Sequence, residues 1–252
     1  MSTPNLPDPR LDGRVLAYDP EAIKTALSTY YHALSKLPYI EASNIVSPPA
    51  GGWPNITATN FAPLGKNETV IALLKDLPYL RNPGLPKGYV IAFETFPLDY
   101  SAAPFTKPLD VDAVEGLSPD QYEDEDEKIK SWVVPLTMSQ DQYSGTVTEW
   151  AHNDSMEPEV DYEDNDPRAW RNSCGETRLL GELLTEWREK FESLDWVASS
   201  EKVWDEEMNA ENHAQLQRII REHGWPHGFR REECKEALLA WDEEHQDDLY
   251  GA

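Results

Sequence analysis

The sequence predicts an α+β protein in which a small, mainly antiparallel sheet in the middle of the chain is flanked by N-terminal and C-terminal helices. Two observations carry this prediction. Apolar residues recur at helical spacing near the N-terminus and through the C-terminal third, and the short apolar runs between them are rich in β-branched and aromatic side chains. Helices followed by strands and then by helices indicate an α+β fold rather than a doubly wound sheet.

The first helix is predicted over residues 20–37. Asp19 is a typical N-cap, and Pro20 suits the first helical position. The apolar positions that follow at helical spacing are Ile23, Leu27, Tyr30, Tyr31 and Leu34. Pro38 should end this helix, because a residue before proline disfavours helical geometry. A second, shorter helix is expected to begin near Asn67 and to end at the next proline.

Three strands are predicted in the middle of the chain. Residues 89–93 form an apolar run between Gly88 and Pro97, which is typical of a buried strand. Residues 131–134 are predicted as a second strand, and residues 145–150, which alternate more regularly, as a third. Because turn-forming residues separate the last two strands, we expect them to pair as a hairpin.

Three helices are predicted in the C-terminal third. Residues 173–176 have the spacing of a capping box, and the helix that they begin has Trp187 on its apolar face. The next helix is expected over residues 202–223 and the last over residues 231–246. The positions predicted to face inward on these two helices are Trp204, Met208, Leu216, Ile219, Ile220, Cys234, Leu238 and Trp241.

The predicted elements divide the chain into three parts. Residues 1–17 form a loose lead-in, residues 18–198 the α+β core, and residues 199–252 a helical extension packed on that core. Acidic loops are expected within the core at residues 110–127 and 153–167, because dense like charges repel one another and favour solvent.

The charge balance excludes several classes of function. The 252-residue chain has 47 Asp and Glu against 22 Lys and Arg, which gives a net charge of −25. A surface of this charge repels phosphate, so we expect no nucleic-acid partner. We also expect no membrane partner and no export signal, because no long apolar run and no basic-then-apolar N-terminus is found. These features predict a cytoplasmic protein, with the nucleus as the alternative compartment.

The acidic residues are concentrated in one segment. Between residues 109 and 166, eighteen Asp and Glu stand against two Lys, a balance of −16. The interpretations are a solvated surface, a docking surface for a basic protein partner, or a calcium site, although the glycine of an EF-hand loop is missing. The candidate binding residues are Glu123, Asp124, Glu125, Asp126, Glu127, Asp161, Glu163 and Asp164.

Known catalytic and metal-binding motifs are missing from the sequence. It contains no glycine-rich phosphate loop, nucleophile elbow, HExxH, CxxC or kinase motif, so we expect no cofactor. His223 and His227 flank a predicted helix end, but zinc needs more ligands than this pair. Cys174 and Cys234 are too few for a disulfide scaffold or a four-thiolate site. We therefore expect no metal either.

The alternative to a binding function is a cofactor-independent enzyme. Asp154 would orient His152 as a general base, with Glu149 close by on the preceding strand. Such a cyclase, isomerase or hydrolase, for example in fungal secondary metabolism, would act on a small apolar molecule. The aromatic residues proposed to line its pocket are Trp53, Trp150 and Trp170.

Three segments of the chain, taken in order, resemble the SUKH superfamily. They are Trp-Val-Val-Pro-Leu at 132–136, Gly-Thr-Val-Thr-Glu-Trp at 145–150 and, after an acidic loop, Leu-Gly-Glu-Leu-Leu-Thr-Glu-Trp at 180–187. This superfamily includes the fungal cell-wall-synthesis regulator domain and bacterial toxin-immunity proteins. The resemblance covers roughly residues 20–195 and implies an α+β binding module without catalytic residues, while residues 223–231 resemble tails of uncharacterised fungal proteins. We therefore expect a non-enzymatic interaction protein whose acidic surface binds a basic protein.

Overall fold

The computed structural model describes residues 18–64, 66–85, 88–93, 95–108, 146–150, 174–199 and 202–245. The α-helices in these ranges are α1 (Pro20–Leu34), α2 (Glu68–Asp76), α3 (Leu180–Ser193), α4 (Glu206–Glu222) and α5 (Arg231–Glu244). The strands form antiparallel pairs, which are β1 (Ile45–Val46) with β2 (Tyr79–Leu80), β3 (Thr146–Trp150) with β4 (Cys174–Leu179), and β5 (Val197–Ala198) with β6 (Val203–Trp204). The predicted fold class is confirmed, because the sheets are small and antiparallel and helices come before and after the middle strands in the sequence.

The chain is divided into two compact units. The smaller unit comprises Met1–Ile23 and Val134–Leu183, and its described part includes the β3–β4 ribbon. The larger unit comprises Lys24–Val133 and Leu184–Ala252. A core cluster of the larger unit contains residues from both sides of position 198: Leu194, Val197, Trp204, Leu216, Ile220, Cys234, Leu238 and Trp241.

Helix α1 begins where the sequence predicts and ends earlier. Asp19 Oδ1 accepts hydrogen bonds from two backbone N–H groups of the first turn, both at 3.0 Å, as an N-cap does. The helix ends at Leu34 rather than at Leu37. Lys36 and Leu37 donate to carbonyls three residues back, which is the tighter geometry of a 3₁₀ turn.

The apolar run at residues 89–93 is buried at four of its five positions but forms no strand, so this part of the prediction is wrong. An isolated bridge joins Ala92 to Thr95. The Ile91 N–H donates to the Thr95 carbonyl at 2.9 Å, and the Tyr30 hydroxyl donates to the Ile91 carbonyl. A local turn and a side chain therefore satisfy these backbone groups, which need no neighbouring strand.

The strand predicted at residues 145–150 is confirmed as β3, and its observed partner is β4. Trp150 lies opposite Cys174, with a register irregularity earlier in the ladder. The capping-box interpretation is wrong, because β4 occupies Cys174–Leu179 and α3 begins only at Leu180. The partner expected for β3, residues 131–134, lies outside the described residues.

Helix α4 begins later than predicted, and its first turn is separated from the rest by a kink. Asp205 is the N-cap, and its Oδ1 accepts from the Met208 N–H at 2.8 Å. Asn209 has φ −160° and ψ 97°, which interrupts the helix. Met208 is consequently 45% exposed, so its predicted inward position is wrong, whereas Leu216 and Ile220 beyond the kink are buried as predicted.

The loop at residues 47–54 closes the C-terminus of α2. The Trp53 N–H donates to the Lys75 carbonyl at 2.9 Å, and its ring Nε1–H donates to the Leu77 carbonyl at 2.8 Å. Two carbonyls at the helix end therefore find partners in this loop. The loop comes closest to the backbone of α2 at Gly52, where an added Cβ would lie 2.7 Å from the Lys75 carbonyl oxygen.

Gly52→Ala is expected to lower the free energy of unfolding by about 2 kcal/mol more than Gly51→Ala. Both glycines have positive φ, +79° and +89°, so both variants carry a similar backbone strain. A Cβ at Gly51 meets nothing within 4 Å, whereas one at Gly52 meets backbone. Urea unfolding of the two variants measures the difference, and equal losses would show that the loop moves away from α2 without penalty.

Candidate functional site

Most of the site residues predicted from the sequence lie outside the described part of the chain. They are Glu123, Asp124, Glu125, Asp126, Glu127, His152, Asp154, Asp161, Glu163, Asp164 and Trp170. For Glu149 and Trp150, the structure describes only the backbone, within β3. The acidic docking surface and the proposed catalytic group therefore stay predictions.

Trp53, proposed as a pocket residue, contacts the end of α2 through its side chain. Its ring N–H is bonded to the Leu77 carbonyl, and its ring centroid lies 5.9 Å from that of Tyr79. The side chain is half-buried. These contacts give Trp53 a structural role at the end of α2.

The larger unit contains an apolar cleft with a volume of about 20 Å³. Its walls come from the end of α1 and the loop after it, from the end of α3, and from β5. Representative lining residues are Leu37, Tyr39, Tyr89, Leu194, Trp196 and Ala198. A cavity of this size holds a water molecule or the end of one side chain, and it is far smaller than the roughly 300–1,000 Å³ of typical small-molecule sites.

Polar side chains that line the cleft are hydrogen-bonded within the protein. These bonds join Tyr39 Oη to Asp242 Oδ2 at 2.9 Å, Asn44 Nδ2 to Tyr89 Oη at 2.7 Å, and Trp204 Nε1 to Ser199 Oγ at 3.2 Å. Burial, and secondly the charge of Asp242, raise the pKa of Tyr39 above its ordinary value. The Tyr39 hydroxyl keeps its proton at neutral pH and donates it in the hydrogen bond to Asp242.

Leu194 forms one wall of the cleft in a left-handed backbone conformation, with φ 69°. Glycine or asparagine usually occupies such a position after a helix, and a leucine there costs about 1 kcal/mol. The Leu194 carbonyl accepts hydrogen bonds from His213 Nε2 at 3.0 Å and from Gln217 Nε2 at 2.8 Å. Its side chain is buried in the core cluster, so both the carbonyl group and the side chain of Leu194 are held in place.

His223 and Cys234 have structural roles in the described part of the chain. His223 Nδ1 donates to the Ile219 carbonyl at 2.7 Å and thereby caps the end of α4. Cys234 is fully buried in the core cluster, and burial raises the pKa of its thiol to about 12. Across the described ranges, no group of three or more His, Cys, Asp and Glu is placed to hold a metal ion.

Helix α5 adds an acidic face that the sequence analysis does not single out. Its exposed acidic residues are Glu232, Glu233, Glu236, Glu243 and Glu244. The two basic residues of the helix, Arg231 and Lys235, contact Glu41 at 3.2 Å and 2.5 Å. The hydrogen bond from Lys235, followed by that from Arg231, holds the pKa of Glu41 below its ordinary value. The signal in the sequence was the three- and four-residue spacing of acids between the inward apolar positions.

The fold and the site together define a helix-rich α+β protein with a small apolar cleft and an acidic helix face. No family model, curated protein or solved structure matches this chain. Within the described ranges, no helix has the length and apolar character needed to cross a membrane. A functional assignment therefore depends on the residues of the chain itself.

Proposed function

We propose that the protein is a non-enzymatic interaction protein whose acidic surface binds a basic protein partner. The charge of residues 109–166 carries the proposal, because eighteen acidic residues there are opposed by two lysines. A charge of −16 over one segment attracts a basic surface over distances comparable to the Debye length, about 8 Å at physiological salt. The exposed acids of α5 are a further source of negative charge in the described part of the chain.

The cleft gives no support to the enzyme alternative. Its volume of about 20 Å³ is small for a metabolite. The resemblance to the SUKH superfamily also implies a binding module. The alternative is an enzyme that acts on a small apolar molecule through Glu149, His152 and Asp154, and the side chains of these residues, like those of the acidic segment, lie outside the described part of the chain.

Raising the salt concentration from about 0.05 M to 0.5 M is expected to slow association with the basic partner at least about tenfold. Electrostatic steering acts mainly on the association rate, so the dissociation rate should change less. The measurement is the pair of rate constants for a partner isolated from native lysate at low salt, recorded over a series of salt concentrations.

Charge-removing variants locate the surface responsible. The test variant is Glu123→Gln, Glu125→Gln and Glu127→Gln together. The matched control removes three charges from α5 through Glu232→Gln, Glu236→Gln and Glu243→Gln together. We expect the test variant to weaken the salt dependence while leaving the free energy of unfolding nearly unchanged. An association rate that changes neither with salt nor in either variant would contradict the proposal. A change in the α5 variant alone would place the docking surface on α5.

A further inference from the structure

We infer that N-glycosylation of Asn55 and folding exclude one another, so that the protein reaches its folded state in a compartment without N-glycosylation. Residues 55–57 read Asn-Ile-Thr, which matches the acceptor pattern for N-linked glycans. The atom that would carry the glycan is Nδ2 of Asn55, which donates hydrogen bonds to backbone carbonyls in this fold. This inference goes beyond the proposed function, because it concerns where the chain can fold and not what it binds.

Both hydrogens of the Asn55 amide group are directed at backbone oxygens. Nδ2 donates to the Tyr100 carbonyl at 2.8 Å and to the Phe105 carbonyl at 3.1 Å. A side-chain amide has only these two hydrogens, and a glycan replaces one of them. The first carbon of the sugar would then lie between Nδ2 and a carbonyl oxygen, well inside the contact distance of carbon and oxygen. Because this holds for either hydrogen, the folded state cannot carry the glycan.

The loop that supplies the two carbonyls is held in place by aromatic packing. The ring centroid of Phe61 lies 5.7 Å from that of Tyr100 and 5.9 Å from that of Phe105. Phe61 is 1% exposed and Phe105 is 2% exposed. Moving the loop away to admit a sugar would expose these rings to water, so the loss of apolar burial opposes the movement.

Asn55 is equally fixed from its own side of the contact. Its carbonyl accepts a hydrogen bond from Asn60 Nδ2 at 2.8 Å, and the next residue, Ile56, is 1% exposed. Turning the Asn55 side chain outward would leave two part-buried carbonyls without their donor. Neither side of the contact can therefore make room for a glycan at low cost.

The order of events makes the conflict relevant to folding. Glycans are transferred to a chain as it enters the secretory pathway, before the fold can shield Asn55. A chain in that pathway would receive a modification that its folded state cannot accommodate. The conflict does not arise in the cytoplasm or the nucleus, where this transfer does not take place.

A second acceptor pattern, Asn-Glu-Thr at 67–69, provides a contrast within the same chain. Asn67 caps α2 through its Oδ1, which accepts from the Val70 N–H at 2.9 Å. The cap does not use Nδ2, and in the described part of the chain no group accepts a hydrogen bond from that atom. A glycan on Nδ2 leaves the cap intact, so we expect a glycosylated Asn67 to be compatible with folding.

The test directs the full chain into the secretory pathway of a eukaryotic host with an added signal peptide. Every variant carries Ser155→Ala, which removes a third acceptor pattern outside the described residues. Thr69→Ala then leaves only the pattern of Asn55. The matched control, Thr57→Ala, leaves only that of Asn67, and both threonines are exposed. The same variants made without the signal peptide check that each substitution leaves a folded protein.

We expect thermolysin to cleave the form glycosylated at Asn55 at least about tenfold faster than the form glycosylated at Asn67, because the first is unfolded. The glycan is identified by a mass shift that endoglycosidase H removes. A glycosylated Asn55 form as resistant as the control would overturn the inference. Folded, secreted protein with an unmodified Asn55 would also overturn it, because the chain would then fold in that pathway. Rapid cleavage of both glycosylated forms would show that the geometry at Asn55 is not the cause, and would overturn it as well.

Discussion

Trp187→Ala is expected to lower the free energy of unfolding by about 3–5 kcal/mol. Trp187 lies on the inner face of α3 and is 9% exposed. Its ring centroid lies 6.1 Å from the ring of Tyr30 and also 6.1 Å from that of Trp196. Truncation removes buried apolar surface and leaves a cavity that the two rigid neighbouring rings do not fill, so both terms add to the loss. Urea unfolding monitored by circular dichroism measures this loss.

Glu189→Ala is the matched control, because Glu189 is an exposed residue of the same helix. Its truncation to alanine should change the free energy of unfolding by no more than about 0.5 kcal/mol. A loss below about 1 kcal/mol for Trp187→Ala would show that its ring is dispensable for the core. This face of α3 would then become a candidate contact surface for a partner.

The helix faces could be predicted from the sequence because helical periodicity is a local property of the chain. On α3, Leu183, Trp187 and Phe191 recur every four residues, and all three are buried. On α5, Cys234, Leu238 and Trp241 are buried in the same way. In both helices the residues that decide the buried face lie within about two turns of one another.

The strand pairs could not be predicted in the same way, because pairing depends on residues distant in the sequence. An apolar run such as 89–93 indicates burial but does not identify a neighbouring strand. Cys174 pairs with Trp150 across a long intervening segment, and nothing local distinguishes its strand from the start of a helix. Met208 has helical spacing with the buried residues of α4, but the backbone break at Asn209 separates it from them.

The cleft has no sequence signature, because its walls come together only in the fold. The loop around Tyr39, the run around Tyr89 and the turn around Leu194 are far apart in the chain. Each of these residues alone resembles an ordinary core position. The left-handed conformation of Leu194 could not be predicted from the sequence either, since glycine or asparagine is the usual signal for that geometry.

One arginine fixes the loop that provides part of the cleft wall. Arg231 Nε donates to the Leu37 carbonyl at 3.0 Å, and its Nη2 donates to the Ile40 carbonyl at 2.9 Å. Its Nη1 lies 3.2 Å from the carboxylate of Glu41, and the side chain is 20% exposed. Three groups of one loop are therefore bonded to one guanidinium, whose fixed fork of donors suits this arrangement.

Arg231→Ala is expected to lower the free energy of unfolding by about 2–3 kcal/mol, because it removes charge-assisted hydrogen bonds and leaves two part-buried carbonyls without these donors. Arg230→Ala is the matched control, since Arg230 is about half exposed, contacts Glu233 and donates one hydrogen bond to the Glu222 carbonyl at 2.9 Å, and should lose only about 1 kcal/mol. Arg231→Lys should recover little, because one ammonium group does not span both carbonyls. A loss for Arg231→Ala no larger than that for Arg230→Ala would show that the loop is stable without these two hydrogen bonds.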